Sequence, residues 1–363
     1  MKNNIILILF FLFFSNILSA QNFFSDNFYF QSTINKGLII PEYKFFNYYV
    51  EENLTAAEFS IFKKTSGKSV WHKVYNYPEI GIRYYFSNLG NNKIFGNVNS
   101  TFLFVNFNIY ENNKISYNFS PGLGLCYVNK IFDIHNNYRN IAIASHLNIF
   151  FNFDINLRFR INKKLFITSN INFKHISNAS VKQPNVGLNF INAGLGVILK
   201  IGEKPEIKDF NIPDFVKKAE KSVILSTGLK SSNIYDGYNY VISTLSLNYT
   251  KYLFYKYAVG VGIDVFYDSS LKNAFEKIDK IEFKNKYYFN SGISVSNELV
   301  YNKLNVGIQV GNFVFLEDMY SNRLIYTKLV TRYKLTNHLV FSMALKTYFF
   351  VADYLGFGLG YYF

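Results

Sequence analysis

The 363-residue sequence contains one cysteine, few charged residues and no long apolar run after its N-terminal segment. Cys126 has no partner for an internal disulfide, so the fold must be stable without one. Charged residues make up 17% of the chain, against roughly 25% in soluble domains. No stretch beyond the N-terminal segment approaches the ~18 apolar residues of a membrane helix. These absences exclude a disulfide scaffold and a helical membrane protein, and they disfavour an ordinary soluble domain.

Aromatic residues, by contrast, make up 20% of the chain and hydrophobic residues 49%. Many aromatic residues with little charge and no spanning helix are typical of a membrane β-barrel, whose sequence signal is alternation. The N-terminus, MKNNIILILFFLFFSNILSA, has a lysine, an apolar core and small residues at Ser19 and Ala20, as a secretory signal peptide does. We therefore predict a signal peptide over residues 1–20, cleaved before Gln21, and a place in the bacterial outer membrane.

The formal net charge of +14 permits binding to nucleic acid or to anionic lipid. A secreted chain without a clustered basic segment favours anionic lipid, including the phosphorylated lipid A of lipopolysaccharide, and argues against nucleic acid. No metal-ligand spacing of His, Cys and carboxylates occurs, and no glycine-rich phosphate loop precedes a helix. We therefore expect no metal site and no cofactor.

Two stretches alternate apolar and polar side chains over the length of a membrane strand. In Ser145–Ile161, SHLNIFFNFDINLRFRI, the odd positions are almost all apolar and the even positions mostly polar. Successive side chains of a strand point to opposite faces, so the apolar face would contact lipid and the polar face the barrel interior. The C-terminal VADYLGFGLGYYF places leucine and aromatic residues on one face and glycines on the other, and its terminal Phe363 resembles the assembly signal of bacterial outer-membrane proteins.

The same alternation predicts about sixteen strands, an even number as single-chain barrels have. About eight lie between Asn27 and Ile201 and about eight between Ser222 and Phe363. The predicted fold is an all-β transmembrane antiparallel β-barrel, either one barrel or two eight-stranded halves, since either form leaves no strand edge open to lipid. We favour one barrel. The predicted domains are the signal peptide, a first half with the active site, a charged linker and a second half with the assembly signal (1–20, 21–201, 202–221 and 222–363).

One polar cluster interrupts the lipid-facing side of this pattern. In LFITSNINFKHIS, His175 and Ser177 share the apolar face at the end of a strand that is predicted to be extracellular. A symmetric loop would bring Asn189 of the next strand opposite His175, with Cβ atoms ~5 Å apart. Serine, histidine and a residue that orients the histidine form the arrangement used for nucleophilic acyl transfer. We therefore predict Ser177 as nucleophile, His175 as base, Asn189 as orienting residue and Asn178 as part of the oxyanion site, acting on a lipid ester.

The segment HISNASVKQPNVGLNF, residues 175–190, resembles the signature of outer-membrane lipid A 3-O-deacylases, the acyloxyacyl hydrolase-like family of eight-stranded barrels. The stretch WHKVYNYPEIGIRYYF, residues 71–86, resembles an early strand region of that family. The resemblance implies that His175 and Ser177 are the catalytic base and nucleophile, and that the substrate is the acyl chain ester-linked at position 3 of lipid A. Two features depart from the family: a glutamate stands there in place of Asn189, and the half after Lys200 has no counterpart in its minimal members.

Two functions stay open on the sequence. The first is a carboxylic ester hydrolase of lipid A, and the second is a non-enzymatic porin, transport or structural β-barrel, since polar inner faces also suit a channel. A histidine and a serine two residues apart occur by chance in many proteins, and Asn185 and Gly187 are turn-forming residues. The acyl-chain specificity, the role of the second half and the oligomeric state, including a homodimer, also stay open.

Overall fold

The computed structural model describes residues 28–202, 210–231, 237–273, 283–315, 324–349 and 351–363. Within them lie sixteen β-strands: β1 (Phe28–Ile40), β2 (Leu54–Lys64), β3 (Glu79–Asn88), β4 (Asn97–Glu111), β5 (Ile115–Val128), β6 (Leu147–Arg160), β7 (Leu165–Ser177), β8 (Leu188–Ile201), β9 (Lys218–Ser231), β10 (Asn239–Phe254), β11 (Tyr257–Asp268), β12 (Phe289–Tyr301), β13 (Leu304–Phe315), β14 (Ile325–Lys334), β15 (Leu339–Tyr348) and β16 (Val351–Tyr362). Short 3₁₀-helices (Lys44–Tyr49 and Asn285–Tyr288) and an α-helix, α1 (Val70–Val74), lie in connections between strands. In the described ranges, no helix has the length and apolar character to cross a membrane. The predicted signal peptide lies outside the described residues.

Strands β1 to β8 form a closed antiparallel barrel. Neighbours pair in chain order, and β8 returns to β1 with Phe28 opposite Ile201 and Ile40 opposite Asn189. Closure gives the backbone N–H and C=O groups along each strand a partner, which a lipid environment requires because it offers no water to bind them.

Strands β9 to β16 form a second closed barrel, in which β16 pairs back to β9 with Leu355 opposite Leu229. The predicted all-β barrel fold with eight-stranded halves is therefore confirmed, and our preference for one barrel is wrong. Alternation fixes which face of a strand meets lipid, but it carries no information on which strand closes the ring.

The chain divides into two compact units, and the boundary between them cuts β7 between Ile176 and Ser177. The first unit contains most of β1–β8, and the second contains β9–β16 together with the segments Ile131–Asn148 and Ser177–Gly187. Strand β9 begins at Lys218 rather than at Ser222, because the preceding residues already pair with β10. The assignment of domains at residues 21–201, 202–221 and 222–363 stays a prediction.

Side chains along β7 alternate as the sequence predicts. Ile167 and Ile171 are 44% and 63% exposed on the outer face, whereas Asn170, Asn172 and Lys174 are buried on the inner face. The stretch predicted as a strand over residues 145–161 likewise forms β6. The outer wall of the first barrel is therefore apolar along these strands, as contact with lipid requires.

The last strand, β16, also has the predicted faces. Phe357 and Leu359 are more than half exposed on the outer face. The intervening glycines face inward, and a Cβ atom added to Gly358 would clash with the carbonyl oxygen of Leu225 on β9. A larger residue could not be accommodated there without moving the backbone, so the glycines make room inside this barrel.

Buried ion pairs fill the interior of the first barrel. Arg83 contacts Asp154 at 2.6 Å and Glu58 at 3.1 Å, and Lys174 contacts Glu58 at 3.0 Å. All four side chains are at most 1% exposed. Fully buried rings complete the packing around them, namely Tyr85, Phe102, Phe150 and Phe190.

The second barrel has a similar interior. Lys328 lies 2.5 Å from Asp264, whose other carboxylate oxygen accepts a hydrogen bond of 2.7 Å from the hydroxyl of Tyr326. A second pair, Arg332 and Glu298, lies 2.5 Å apart and is 3% exposed on each side. Charged groups are thus paired within the barrel, as burial of a charge requires.

Candidate active site

His175 lies near the end of β7, on its outer face, directly opposite Asn189 of β8. The imidazole Nδ1 and the Asn189 side-chain oxygen are 2.6 Å apart. The ring of Phe151 on β6 lies beside the imidazole, with ring centroids 6.2 Å apart. The pairing of His175 with Asn189 that the sequence predicted is therefore present, and the imidazole is held on one side by a hydrogen bond and on another by an aromatic ring.

The hydrogen bond to Asn189 also selects the tautomer of His175. An amide oxygen is only an acceptor, so Nδ1 carries the proton and donates it to Asn189. In the neutral imidazole Nε2 is then the unprotonated nitrogen. Nε2 forms no hydrogen bond with any residue that the structure describes. It is therefore available as a proton acceptor.

Ser177 is the last residue of β7 and is 9% exposed. Its hydroxyl oxygen accepts a hydrogen bond of 3.2 Å from the backbone N–H of Ala179. Within the described ranges no hydrogen bond joins it to His175. Residues two apart on a strand are ~7 Å apart along the backbone, so their side chains meet only when they lean toward each other.

Asn178 stabilises the loop that follows β7 through hydrogen bonds of its side chain and backbone. Its side-chain amide donates to the Ser145 hydroxyl at 3.0 Å and to the Lys182 carbonyl at 2.9 Å. Its backbone N–H donates to the side-chain oxygen of Asn185 at 3.0 Å. Both amide protons of Asn178 are thus committed to loop structure in this conformation, and its role in an oxyanion site stays a prediction.

The backbone after Ser177 is unusual in a way that the sequence did not predict. Ala179 and Ser180 have φ angles of 53° and 66°, in the left-handed region that non-glycine residues seldom occupy. Gly187, with φ of 84°, closes the loop and donates its N–H to the carbonyl of Ala142 at 3.0 Å. Left-handed non-glycine residues cluster at functional sites, where the surrounding contacts hold them in place. The conformation directs the N–H of Ala179 at the hydroxyl of Ser177.

Comparison with protein families covers both barrels. The profile described as lipid A 3-O-deacylase matches residues 55–197, and the profile described as the C-terminal domain of acyloxyacyl hydrolase matches residues 220–363. The chain belongs to this deacylase family. The lipid A 3-O-deacylase profile covers both segments that resemble this family in the sequence, residues 71–86 and 175–190. The half after Lys200, for which we expected no counterpart in the minimal members of the family, is matched over residues 220–363 by the separate acyloxyacyl hydrolase C-terminal profile.

Membership of the deacylase family, together with the β-barrel fold, places the protein in the bacterial outer membrane. It also supports a hydrolase function directed at lipid A.

Solved structures resemble the chain only at low similarity. Neisserial surface protein A is 9% identical over 47% of this chain and 96% of its own, with a TM-score of 0.34. An outer-membrane channel from Pseudomonas putida F1 is 9% identical over 93% of this chain and 94% of its own, with a TM-score of 0.19. A triple mutant of Rhodopseudomonas blastica porin is 8% identical over 93% of this chain and 99% of its own, with a TM-score of 0.18. No curated protein matches the chain.

Proposed function

We propose that the protein is a serine esterase that removes the acyl chain ester-linked at the 3 position of lipid A. The observation that carries this proposal is the 2.6 Å contact between His175 and Asn189, on the outer wall and two residues from Ser177. A histidine held by its Nδ1, with Nε2 left unprotonated, has the state that a general base needs. A site on the outer wall suits a substrate that is itself a membrane lipid.

In the proposed reaction the Ser177 hydroxyl attacks the ester carbonyl carbon while Nε2 of His175 takes the hydroxyl proton. The tetrahedral intermediate collapses when the bond to the sugar oxygen breaks, and the imidazolium returns its proton to that oxygen. Water, deprotonated by the same nitrogen, then attacks the acyl-serine ester. The bond to the serine oxygen breaks, the imidazolium returns its proton to that oxygen, and a fatty acid is released. Ser177 must first rotate toward His175. We expect substrate binding to cause this rotation, because hydrogen bonds between catalytic groups are often long in the free enzyme and shorten in the complex.

The backbone N–H of Ala179 is our candidate for an oxyanion donor. It lies 3.2 Å from the hydroxyl oxygen of Ser177, and the oxyanion forms two bonds away from that oxygen, on the former carbonyl carbon. A backbone N–H held by loop structure costs no reorganisation when charge develops.

Loop lengths favour the outer leaflet as the location of the site. At the site end of the first barrel the connections span residues 41–53, 89–96, 129–146 and 178–187. At the other end two connections span only 112–114 and 161–164, and the third spans 65–78, so the connections are longer on average at the site end. Barrels of the outer membrane have short periplasmic turns and longer extracellular loops. Lipid A in the outer leaflet would then reach His175 laterally along the apolar wall.

The alternative, a channel, receives little support from the barrel interiors. The ion pairs of Arg83 with Asp154 and of Lys328 with Asp264 lie across the lumens, and the side chains around them are buried. A porin keeps its interior open and water-filled.

Expression of the protein in a bacterium whose lipid A carries a 3-O-linked hydroxyacyl chain tests the proposal. We expect mass spectra of extracted lipid A to show the loss of that one chain, with the amide-linked chains retained, because the mechanism cleaves an ester through an acyl-serine. Purified protein in detergent should release the same free fatty acid. Unchanged lipid A in both experiments, with the barrel folded, would contradict the proposal.

The identity of residue 189 should set the rate. Asn189→Leu is expected to lower kcat by about 10- to 100-fold, because it removes the acceptor that fixes the tautomer of His175. Asn189→Asp should raise kcat by about threefold to tenfold, because a carboxylate makes a stronger, charge-assisted hydrogen bond to the imidazolium. Initial rates of fatty acid release at saturating lipid A measure both effects. A wild-type rate in the leucine variant would exclude Asn189 from the mechanism.

A further inference from the structure

Three adjacent strands place Ile40, Asn189 and His175 in one row across the outer wall. Ile40 of β1 is directly opposite Asn189 of β8, which is directly opposite His175 of β7. The row exists because β8 closes the barrel onto β1, so residues from opposite ends of the first barrel's chain become neighbours. Residues just after β1 therefore lie close to His175.

Glu42 lies two residues beyond Ile40, in the connection that leaves β1. It is exposed. Its carboxylate is near enough to the imidazole of His175 for the two charges to interact through space, although the two side chains form no direct ion pair. The other neighbours of the ring, Asn189 on β8 and Phe151 on β6, carry no charge. Glu42 is thus the charged group that acts on His175 among the described residues.

The carboxylate of Glu42 is not neutralised by another group. It forms no ion pair within the described ranges, in contrast to Glu58, Glu79 and Glu111, which all pair with Lys or Arg. A carboxylate without a cationic partner retains its full negative charge toward the imidazole.

The chemistry of acyl transfer gives such a charge a use. His175 becomes an imidazolium when it takes the serine proton, and a nearby negative charge stabilises that cation. Asn189 orients the ring but, as a neutral amide, cannot supply the charge. One carboxylate in contact with the ring could provide both the hydrogen bond and the negative charge. Here Asn189 provides the hydrogen bond and Glu42 the charge.

We propose that Glu42 is a positioning residue of the esterase site, supplying from β1 the negative charge that stabilises the His175 imidazolium while Asn189 holds the ring. This inference rests on the proposed esterase function. It assigns a role to the connection after β1, which lies more than a hundred residues before the histidine in the sequence.

Glu42→Gln tests this role. We expect kcat for lipid A to fall about fivefold while KM stays within about twofold, because the charge matters only when the imidazolium forms. Glu42→Asp should recover most of the rate. Glu51→Gln is the matched control, since Glu51 is an exposed carboxylate in the same connection with no side-chain partner in the described residues, and it should behave as wild type.

A double-mutant cycle separates the charge from other effects of the substitution. In the Asn189→Asp background the cost of Glu42→Gln should shrink to less than about twofold, because a carboxylate now contacts the ring directly. Equal costs in the two backgrounds would mean that Glu42 does not act through His175, and the proposal would fail.

A readout independent of activity distinguishes this proposal from the esterase proposal. In protein labelled with ¹⁵N-histidine, the ring resonances of His175 should change in Glu42→Gln and stay unchanged in Glu51→Gln at the same pH. Unchanged resonances together with wild-type kcat in Glu42→Gln would overturn the role of Glu42 and leave the esterase intact. A wild-type protein without activity would overturn the esterase, whatever the resonances show.

Discussion

Ser177→Ala is expected to reduce release of the 3-O-linked acyl chain from lipid A by at least about 10³-fold, to the background rate. Without the hydroxyl there is no nucleophile to form the acyl-serine. His175, although still held by its 2.6 Å contact with Asn189, has no hydroxyl proton to accept. His175→Ala should cause a loss of the same size, because the hydroxyl then keeps its proton. The measurement is a time course of fatty acid release by purified protein in detergent, followed by mass spectrometry.

The two substitutions should also be non-additive. Residues that act as a unit lose nearly all of their effect when one is removed, so the double variant should be no slower than either single variant. Ser169→Ala is the matched control, because Ser169 lies on the same strand and the same outward parity as Ser177. Heat-modifiable mobility in electrophoresis verifies that each barrel is folded. Substantial activity in Ser177→Ala would assign the nucleophile to another residue.

The half of the site that depends on strand pairing could be predicted from the sequence. Parity placed His175 on the outer face, and the assumption of a symmetric loop placed Asn189 opposite to it, as the register confirms. Both inferences need only the two-residue repeat of a strand and the antiparallel pairing of neighbours.

The loop after β7 could not be predicted in the same way. Alanine and serine have no preference for the left-handed backbone that Ala179 and Ser180 adopt, so no local signal announces it. One of the contacts that hold Asn178 comes from Ser145, in a distant part of the sequence. Glu42 could not be predicted for a related reason, because only closure of β8 onto β1 brings it near His175.

The same distinction explains the error over the number of barrels. The strands β6, β7 and β16 could be predicted because their pattern lies within ten to twenty residues. Closure of β8 onto β1 is a pairing across the whole first barrel, and the sequence around Ile201 resembles that of any other lipid-facing strand end. The number of rings is a long-range property that a periodic pattern does not contain.

Arg83→Met is expected to destabilise the first barrel by about 3–5 kcal/mol, the cost of leaving a buried charge without its partner. Arg83 contacts Asp154 at 2.6 Å and Glu58 at 3.1 Å, and neither carboxylate is more than 1% exposed. In the variant Lys174 still pairs with Glu58 at 3.0 Å, so Asp154 is the carboxylate left without a cation. Urea titration of the protein refolded in phospholipid vesicles measures the free energy of unfolding, with electrophoretic mobility as the signal of the folded state.

Charge balance, rather than the loss of the arginine stem, should account for most of this effect. Arg83→Met combined with Asp154→Asn removes one cation and one anion and leaves the pair of Glu58 and Lys174 intact, so stability should return to within about 1–2 kcal/mol of wild type. Lys64→Met is the matched control, since it breaks a 3.0 Å pair with Glu111 that is 24% and 36% exposed. An exposed pair contributes about 0–1 kcal/mol. If the double variant were as unstable as Arg83→Met, packing of the guanidinium over the ring of Phe104, 4.7 Å away, would be the larger contribution, and the ion pairs would not be what holds the lumen together.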